Sequence, residues 1–441
     1  MASKKLRGAG KGAEVKTAVA AKKKSSAVDG DAVPTRSERA EAFRDSFNKS
    51  MRGRAMVKSA SEYTLPYMIK RLPTGLLSLD VELGGGFPAG GLSQVAGPKN
   101  SGKSYLYWQV IRQLQSMLGD SMMVMLAMTE MRADRSQARS AGVRVALADS
   151  DVDSMDAGRV KNGLPPYTAE ERHEFRQTTG TIDELHGENA EDLYDGILNA
   201  IDAGIYHLVV IDSFGSIMSG AEAESDSLSD KQYGGASAVN TKFLRKLSAL
   251  LTMDDEFGKA RDVCVLGVNQ VRDNFKDPEK TNSPGGRALE HMQFVNLVVQ
   301  SGKIIWSEEM AMTPEGWKKK FIQTGKEVNW KIEKGKAGIH EGGKGVYIYD
   351  FRINAGDFYS DTLVAGVQHG FIKTAGAWLT LEDPDTGAPL LRANGKPAFI
   401  EALSADAQTR AAAGDTNTAM NFIRTAVFRR KNININYDWE E

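Results

Sequence analysis

The amino-acid sequence predicts an α/β fold with a mainly parallel central sheet, and three observations carry that prediction. Apolar runs of strand length at 92–96, 122–128, 207–212, 263–269, 294–299, 328–333 and 345–352 alternate with helix-like runs at 105–118, 190–203 and 237–252. The central runs are apolar at consecutive positions, as strands covered by helices on both faces must be. Between the first of them and the helix-like run that follows stands Gly97-Pro98-Lys99-Asn100-Ser101-Gly102-Lys103-Ser104, two glycines at phosphate-loop spacing followed by Lys and Ser.

The elements follow in order. Residues 1–35 read as a disordered basic tail, with Lys4, Lys5, Arg7, Lys11, Lys16, Lys22, Lys23 and Lys24 against Glu14 alone before residue 25. Such a tail attracts nucleic acid nonspecifically or simply solubilises the chain. Residues 36–60 hold an amphipathic helix and a linker: Ala40, Phe43, Phe47 and Met51 recur at helical spacing, so the helix stands apart from the core. Residues 61–355 form the α/β core, interrupted at about 144–180 by a polar, Asp- and Arg-rich stretch read as an insertion. Residues 356–441 form a small α+β unit with a helix near 362–369 and a hairpin turn at Asp383-Pro384-Asp385-Thr386-Gly387. The single cysteine, Cys264, lies in an apolar run and reads as a buried thiol, which excludes a disulfide framework. No window is long and apolar enough to span a membrane, and no leader segment is evident, so the expectation is a cytoplasmic protein without a membrane partner.

The chemistry starts at the loop. A strand, a tight turn and a helix N-terminus present a nest of backbone N–H groups to phosphate oxygens. Gly97 to Ser104, with Tyr105 behind them, are the candidate nucleotide-binding residues; Lys103 reaches the β- and γ-phosphates and the Ser104 hydroxyl ligates Mg²⁺. The cofactors implied are ATP and Mg²⁺. Asp212 ends an apolar strand run on the ligand-binding rim of such a sheet, where it serves the Mg²⁺ ion or caps a turn. Glu130 closes the run at 124–129 and either polarises the attacking water or is a plain strand-end carboxylate. Asn269-Gln270 ends a third strand, where an amide senses the γ-phosphate or caps a loop. Two long loops follow these strands, 220–235 and 271–284, the second running into Gly285-Gly286-Arg287, a plausible binder of a phosphate backbone.

These pieces, in this order, resemble the RecA family of homologous-recombination ATPases over roughly 37–403. The resembling runs are Arg71-Leu72-Pro73-Thr74-Gly75 with Leu76-Leu77-Ser78-Leu79-Asp80, Thr129-Glu130, Ile211-Asp212-Ser213, Asn269-Gln270-Val271-Arg272, Gly285-Gly286-Arg287-Ala288-Leu289 and Lys331-Ile332-Glu333-Lys334-Gly335-Lys336. The resemblance implies a RecA-like core, an N-terminal helix that docks on the next protomer, and a homo-oligomeric filament on single-stranded DNA that pairs it with double-stranded DNA. It implies Glu130 as the water-activating base, Gln270 as the γ-phosphate switch, and Lys334 and Lys336 acting in trans on the neighbour's ATP. On residues alone these lysines read as solvated. It further implies Asp134 on the adenine side, and Thr241, Arg245, Arg272, Gly285, Gly286 and Arg287 on DNA, with single-strand-binding and mediator proteins as partners. The chain departs from the pattern at Gln137, where an aromatic is expected against the base, at Ser104 in place of Thr, in the insertion and in the basic tail. The run from Ile211 to Ser216 is also similar to phage recombinases of the UvsX type, which implies a phage or a bacterial source. Rival readings are a ring-forming helicase of the same fold and a noncatalytic mediator.

Overall fold

A computed structural model of the chain describes residues 35–51, 55–59, 69–129, 133–161, 163–214, 220, 235–254, 261–270, 286–313, 316–352, 355–383 and 386–433. The chain divides into two compact units, Met1–Lys58 and Ser59–Glu441.

The first unit contains one described helix, α1 (Arg36–Met51), with no buried residue. Thr35 and Glu38 cap it reciprocally: the Glu38 N–H donates to Thr35 Oγ1 at 3.3 Å and the Thr35 N–H donates to Glu38 Oε2 at 2.7 Å. Phe43 and Phe47 pair with ring centroids 5.6 Å apart on its exposed apolar stripe.

In the second unit a short ladder of β1 (Arg71–Leu72) and β2 (Phe87–Pro88) brackets helix α2 (Leu77–Glu82). The central sheet takes β3 (Gly91–Gly97), β4 (Met123–Met128), β5 (Thr181–Leu185), β6 (Leu208–Asp212), β7 (Cys264–Gln270), β8 (Val295–Thr313), β9 (Gly316–Gly335), β10 (Lys344–Asp350) and β11 (Ala355–Gly356). These nine strands lie in the order β11-β10-β9-β8-β3-β7-β6-β4-β5. The six from β8 to β5 are mutually parallel, and β9, β10 and β11 continue antiparallel. This is the mainly parallel α/β sheet that the sequence predicts. Helices α3 (Lys103–Leu118) and α4 (Arg135–Ser140) cover one face. The other face is covered by α7 (Ala190–Asp202), α8 (Gly235–Thr252) and α9 (Gly286–Met292). Val209, Ile211, Val265 and Leu266 are fully buried, which explains their uninterrupted apolar runs. Cys264 is buried among them, and burial pushes its thiol up to about 12.

One stretch differs from the sequence expectation. The runs expected at 294–299 and 328–333 are only the roots of β8 and β9, a long antiparallel hairpin that continues past the core. Its distal part carries Trp306 and Phe321, 53% and 65% exposed, so a search for continuously buried strands passes over it. The polar stretch at 144–180 contains α5 (Asp149–Lys161) and α6 (Ala169–Glu174), tied by Arg172 to Asp153 and Asp156 and by Arg176 to Asp149 at 2.7 Å.

After β11 come α10 (Phe358–Gln368), the antiparallel ladder β12 (Ile372–Ala375), β13 (Trp378–Glu382) and β14 (Pro389–Asn394), then α11 (Lys396–Ala412) and α12 (Ala419–Arg430). Helix α2 joins this part to the core, with Leu77 and Val81 in one apolar cluster and Leu79 in the other. Asp80 pairs with Arg424 at 2.9 Å, and Asp361 accepts from the Ser78 N–H at 3.0 Å.

Candidate functional site

The loop from Gly97 to Ser104 leaves the C-terminal end of β3 and enters α3. Glycine is required at both ends. A Cβ on Gly97 would lie 2.1 Å from the Val299 carbonyl oxygen, and Gly102 takes φ +97° as the N-cap of α3. Asn100 is also left-handed, at φ +60°. The Lys103 ammonium folds back and donates to the carbonyls of Gly97 at 2.9 Å and Pro98 at 2.6 Å, so a cation lies in the mouth of the loop.

Strand register brings the other residues to this rim. Gly97 lies opposite Gln270, and Asp212 lies between Val268 and Met128 on the adjoining strands. Ser104 Oγ is 3.5 Å from Asp212 Oδ2. A hydroxyl and a carboxylate so placed are hard oxygen donors that fit Mg²⁺. Thr129 locks the end of β4 to this point: its N–H donates to the Asp212 carbonyl at 2.9 Å and its hydroxyl to the Ser213 carbonyl at 3.1 Å. Glu130, the next residue, lies outside the described residues, as do Arg272 and Gly285.

The tertiary structure adds three residues that the sequence reading passes over. Tyr107 is buried, with its hydroxyl bonded to Ser104 and Asp212; burial first, then the Asp212 charge, holds the phenol well above its ordinary value. It stays protonated and acts as a donor to the carboxylate. Lys326, from β9, donates to the Asn100 carbonyl at 2.6 Å and to Ser301 Oγ at 3.3 Å; burial lowers its pKa. Tyr349, from β10, sets its ring edge-on to Tyr105 with centroids 4.8 Å apart. Asn100, Ser101, Lys103, Ser104, Lys326 and Tyr349 line one cavity of about 310 Å³ together with Tyr105 and Gln137. Asp134 caps α4, accepting from the Gln137 N–H at 3.0 Å, and Gln137 accepts from the Trp108 indole at 3.3 Å. The Tyr105 hydroxyl accepts from the Gly356 N–H, which ties the rear of the cavity to β11.

Lys334 and Lys336 lie elsewhere. Lys334 is opposite Asn296, which is opposite Gln94, three residues before Gly97. The Lys336 N–H donates to the Phe294 carbonyl, and the Phe294 N–H to that of Leu92, five residues before Gly97. At about 3.3 Å per strand residue, Lys336 is roughly 16 Å down the sheet from its own phosphate loop. At the surface, Lys334 donates to the Glu290 carbonyl and Lys336 to that of His291, at 3.0 Å, on the last turn of α9. Burial first, then Lys336, lowers the Lys334 pKa. A line of polar side chains connects this strand across the sheet to β7: Asn269 donates to Gln94 at 3.2 Å, Gln94 to Asn296 at 3.0 Å, and Asn296 to Glu333 at 3.2 Å.

Of the candidate DNA residues, Thr241 is half-buried and Arg245 exposed on α8, while Gly286 and Arg287 open α9. The chain leaves the rim for α8 after β6 and for α9 after β7, so both connections start beside the phosphate loop. No helix among the described residues is long and apolar enough to cross a membrane.

No protein-family model matches the chain. Curated relatives do. It is 27% identical over 253 residues to Protein RecA of Heliobacterium modesticaldum, covering 56% of this chain and 60% of that protein. It is 26% identical over 335 residues to Protein RecA of Streptomyces ambofaciens, covering 72% and 71%. With the Lactobacillus acidophilus protein of the same name it shares 28% over 242 residues, 54% of each chain. The aligned part is thus less than two thirds of the Heliobacterium and Lactobacillus proteins' own length.

Proposed function

The chain is a divergent member of the RecA family, and from that premise we propose that it is a DNA-dependent ATPase that forms helical filaments on single-stranded DNA and catalyses homologous pairing and strand exchange. In this reading Lys103 and the loop N–H groups hold the phosphates of ATP. Ser104 and Asp212 hold Mg²⁺, which draws charge from the phosphates when bound. Tyr107 fixes the Asp212 carboxylate. Glu130 orients water, and Gln270, opposite Gly97, senses the γ-phosphate.

The observation that carries the reading is the distance between the two halves of the site. Lys334 and Lys336 are well down the sheet from the loop of their own chain, beyond a lysine's reach. They can serve a phosphate only on a neighbouring copy, where they stabilise transition-state charge. A loop at one end of the sheet and its completing cations at the other make a head-to-tail contact, the type that builds open helices. The exposed apolar stripe of α1 supports a second contact between protomers. For DNA, Thr241, Arg245, Arg272 and Arg287 contact the strand, with N–H groups of Gly285 and Gly286 on its phosphates, a binding mode that weakens as salt rises.

The test is ATP turnover with and without single-stranded DNA, on a sample imaged by electron microscopy. DNA-stimulated turnover together with helical filaments is expected. Closed rings would favour the motor reading, and neither stimulation nor filaments would overturn the proposal.

A further inference from the structure

The two ends of the central sheet carry complementary features outside the nucleotide site. Beyond the phosphate loop, the β8–β9 hairpin continues past the pair Ile304 and Lys326, whose lysine reaches the Asn100 carbonyl. Further out, Trp306, Glu308 and Met310 alternate on one face of β8, and Phe321, opposite Glu308, lies on the same face of β9. Trp306, Met310 and Phe321 are 53%, 56% and 65% exposed. Large apolar side chains gathered on one face of a rigid ladder mark a surface that meets a partner. The charges on this face, Glu308 and Lys319, pair with each other at 2.5 Å, so the face offers no net attraction to a polyanion. At the opposite end of the sheet lies a cavity of about 550 Å³, larger than the nucleotide cavity. Its wall includes Arg71, Val81, Ala337, His340, Lys431 and Ile433, and it opens beside the β9–β10 turn. Arg71 is 4% exposed and donates to the carbonyls of Leu83, at 3.2 Å, and Ala337, which fixes a cation in the wall. Among the described residues three non-glycine positions are left-handed. Ala337, at φ +55°, and Asn432, at φ +52°, both line this cavity, and the third, Asn100, is in the phosphate loop. Backbone strain of this kind gathers where a site is built.

We propose that the cavity is a socket for the Trp306–Phe321 face of a second copy of this chain. The proposal rests on the head-to-tail reading above, in which Lys334 and Lys336 of one copy come to the phosphate loop of the next. The socket begins at Ala337, one residue after Lys336, and the aromatic knob leaves the rim next to the phosphate loop. The contact that brings the lysines to the loop therefore also brings the socket to the knob. An aromatic ring suits this socket: Val81, Ala337 and Ile433 supply apolar contact, and the Arg71 guanidinium attracts the face of the ring. Knob and socket are unlike patches, so their contact extends a row of copies rather than closing a two-fold dimer.

Sedimentation velocity of the full chain with ATP and Mg²⁺, without DNA, tests the contact. The parent chain is expected to form a concentration-dependent series of oligomers. Trp306→Ser together with Phe321→Ser removes the knob, and His340→Trp fills the socket. These three positions are exposed, so the variants are expected to fold, with a thermal melt as the check. Each variant alone is expected to associate about tenfold more weakly or worse. Mixed one to one, they are expected to recover the parent affinity for a single junction and to stop at pairs, because one copy brings the intact knob and the other the intact socket. Association within about threefold of the parent in either variant overturns the proposal and leaves the head-to-tail reading standing. A mixture that recovers no junction overturns the pairing of this knob with this socket. A knob variant that binds single-stranded DNA more weakly but associates normally assigns the aromatic face to nucleic acid and likewise overturns the proposal. A parent chain that stays monomeric with ATP and also on single-stranded DNA overturns both readings.

Discussion

The two ends of the nucleotide cavity are built in opposite ways. The phosphate end is centred on the backbone of eight consecutive residues, and the specifications of that loop are steric: no Cβ at Gly97, positive φ at Gly102. The base end is side chains drawn from α3, α4, β9 and β10, and its specifications are the directions of hydrogen bonds and rings. A contiguous backbone motif tolerates little change at its glycines, because the close approach at Gly97 and the positive φ at Gly102 exclude a side chain. An assembled wall tolerates replacement one side chain at a time. In the proposed reading the loop end holds the phosphates, and the assembled wall meets the rest of the nucleotide.

Four variants break or sharpen that contrast, in falling order of effect on the nucleotide. Lys103→Met removes the cation from the loop mouth and is expected to lower ATP turnover by about 10²–10³-fold with an unchanged melting temperature. A loss below tenfold would show that the loop is not the reacting end. Gly97→Ala forces a Cβ against the Val299 carbonyl, where backbone cannot yield as a side chain does. Chemical denaturation should register a loss of about 1–3 kcal/mol, and nucleotide affinity should fall with it. Lys326→Met leaves the loop whole and removes one cation from the wall; a drop of roughly threefold to tenfold in triphosphate affinity is expected, with Lys326→Arg restoring most of it. Equal losses for Lys326→Met and Lys103→Met would erase the distinction between the two ends.

Asp361→Asn is the control, remote from both ends. Burial raises the Asp361 carboxyl to about 6, against 3.8 unperturbed, with Ser78 bonded to it. The folded protein therefore holds this proton more tightly than the unfolded chain. Its contribution to stability is complete below the unfolded value and is lost as pH rises to about 6, a slope of up to about 1.4 kcal/mol per pH unit. Asparagine has no such proton, so denaturation midpoints measured across pH 4–6 should lose that slope in the variant, while nucleotide affinity stays as in the parent chain.

The same contrast explains what was legible before the structure. Gly97 to Ser104, Asp212 and Gln270 each sit at the end of an apolar run, and a buried parallel strand with its ligand at the C-terminal end is a pattern readable along the chain. Lys326 and Tyr349 are more than 200 residues from the loop that they flank, in runs whose alternation reads as an ordinary half-exposed ladder. Tyr107 was hidden differently. It lies in plain sight three residues after Ser104 but reads as one more apolar helix position, because nothing in the local pattern says that its hydroxyl meets Asp212. The distal β8–β9 hairpin escaped because its aromatic residues face outward, against the rule that locates strands by burial.

The sequence by itself determined the fold class and the phosphate loop, because both are local: periodicity specifies a strand or a helix, and glycine at fixed spacing specifies a turn. Only the tertiary structure decided the rest. Strand register put Gln270 opposite Gly97, held Lys334 and Lys336 away from their own loop, and brought Lys326 and Tyr349 to its wall. Packing of α3 against α4 turned the Gln137 amide by giving its oxygen to Trp108. Register and amide direction are set by partners distant in sequence, and a one-residue slip or a flipped amide would alter both without changing the composition of the chain.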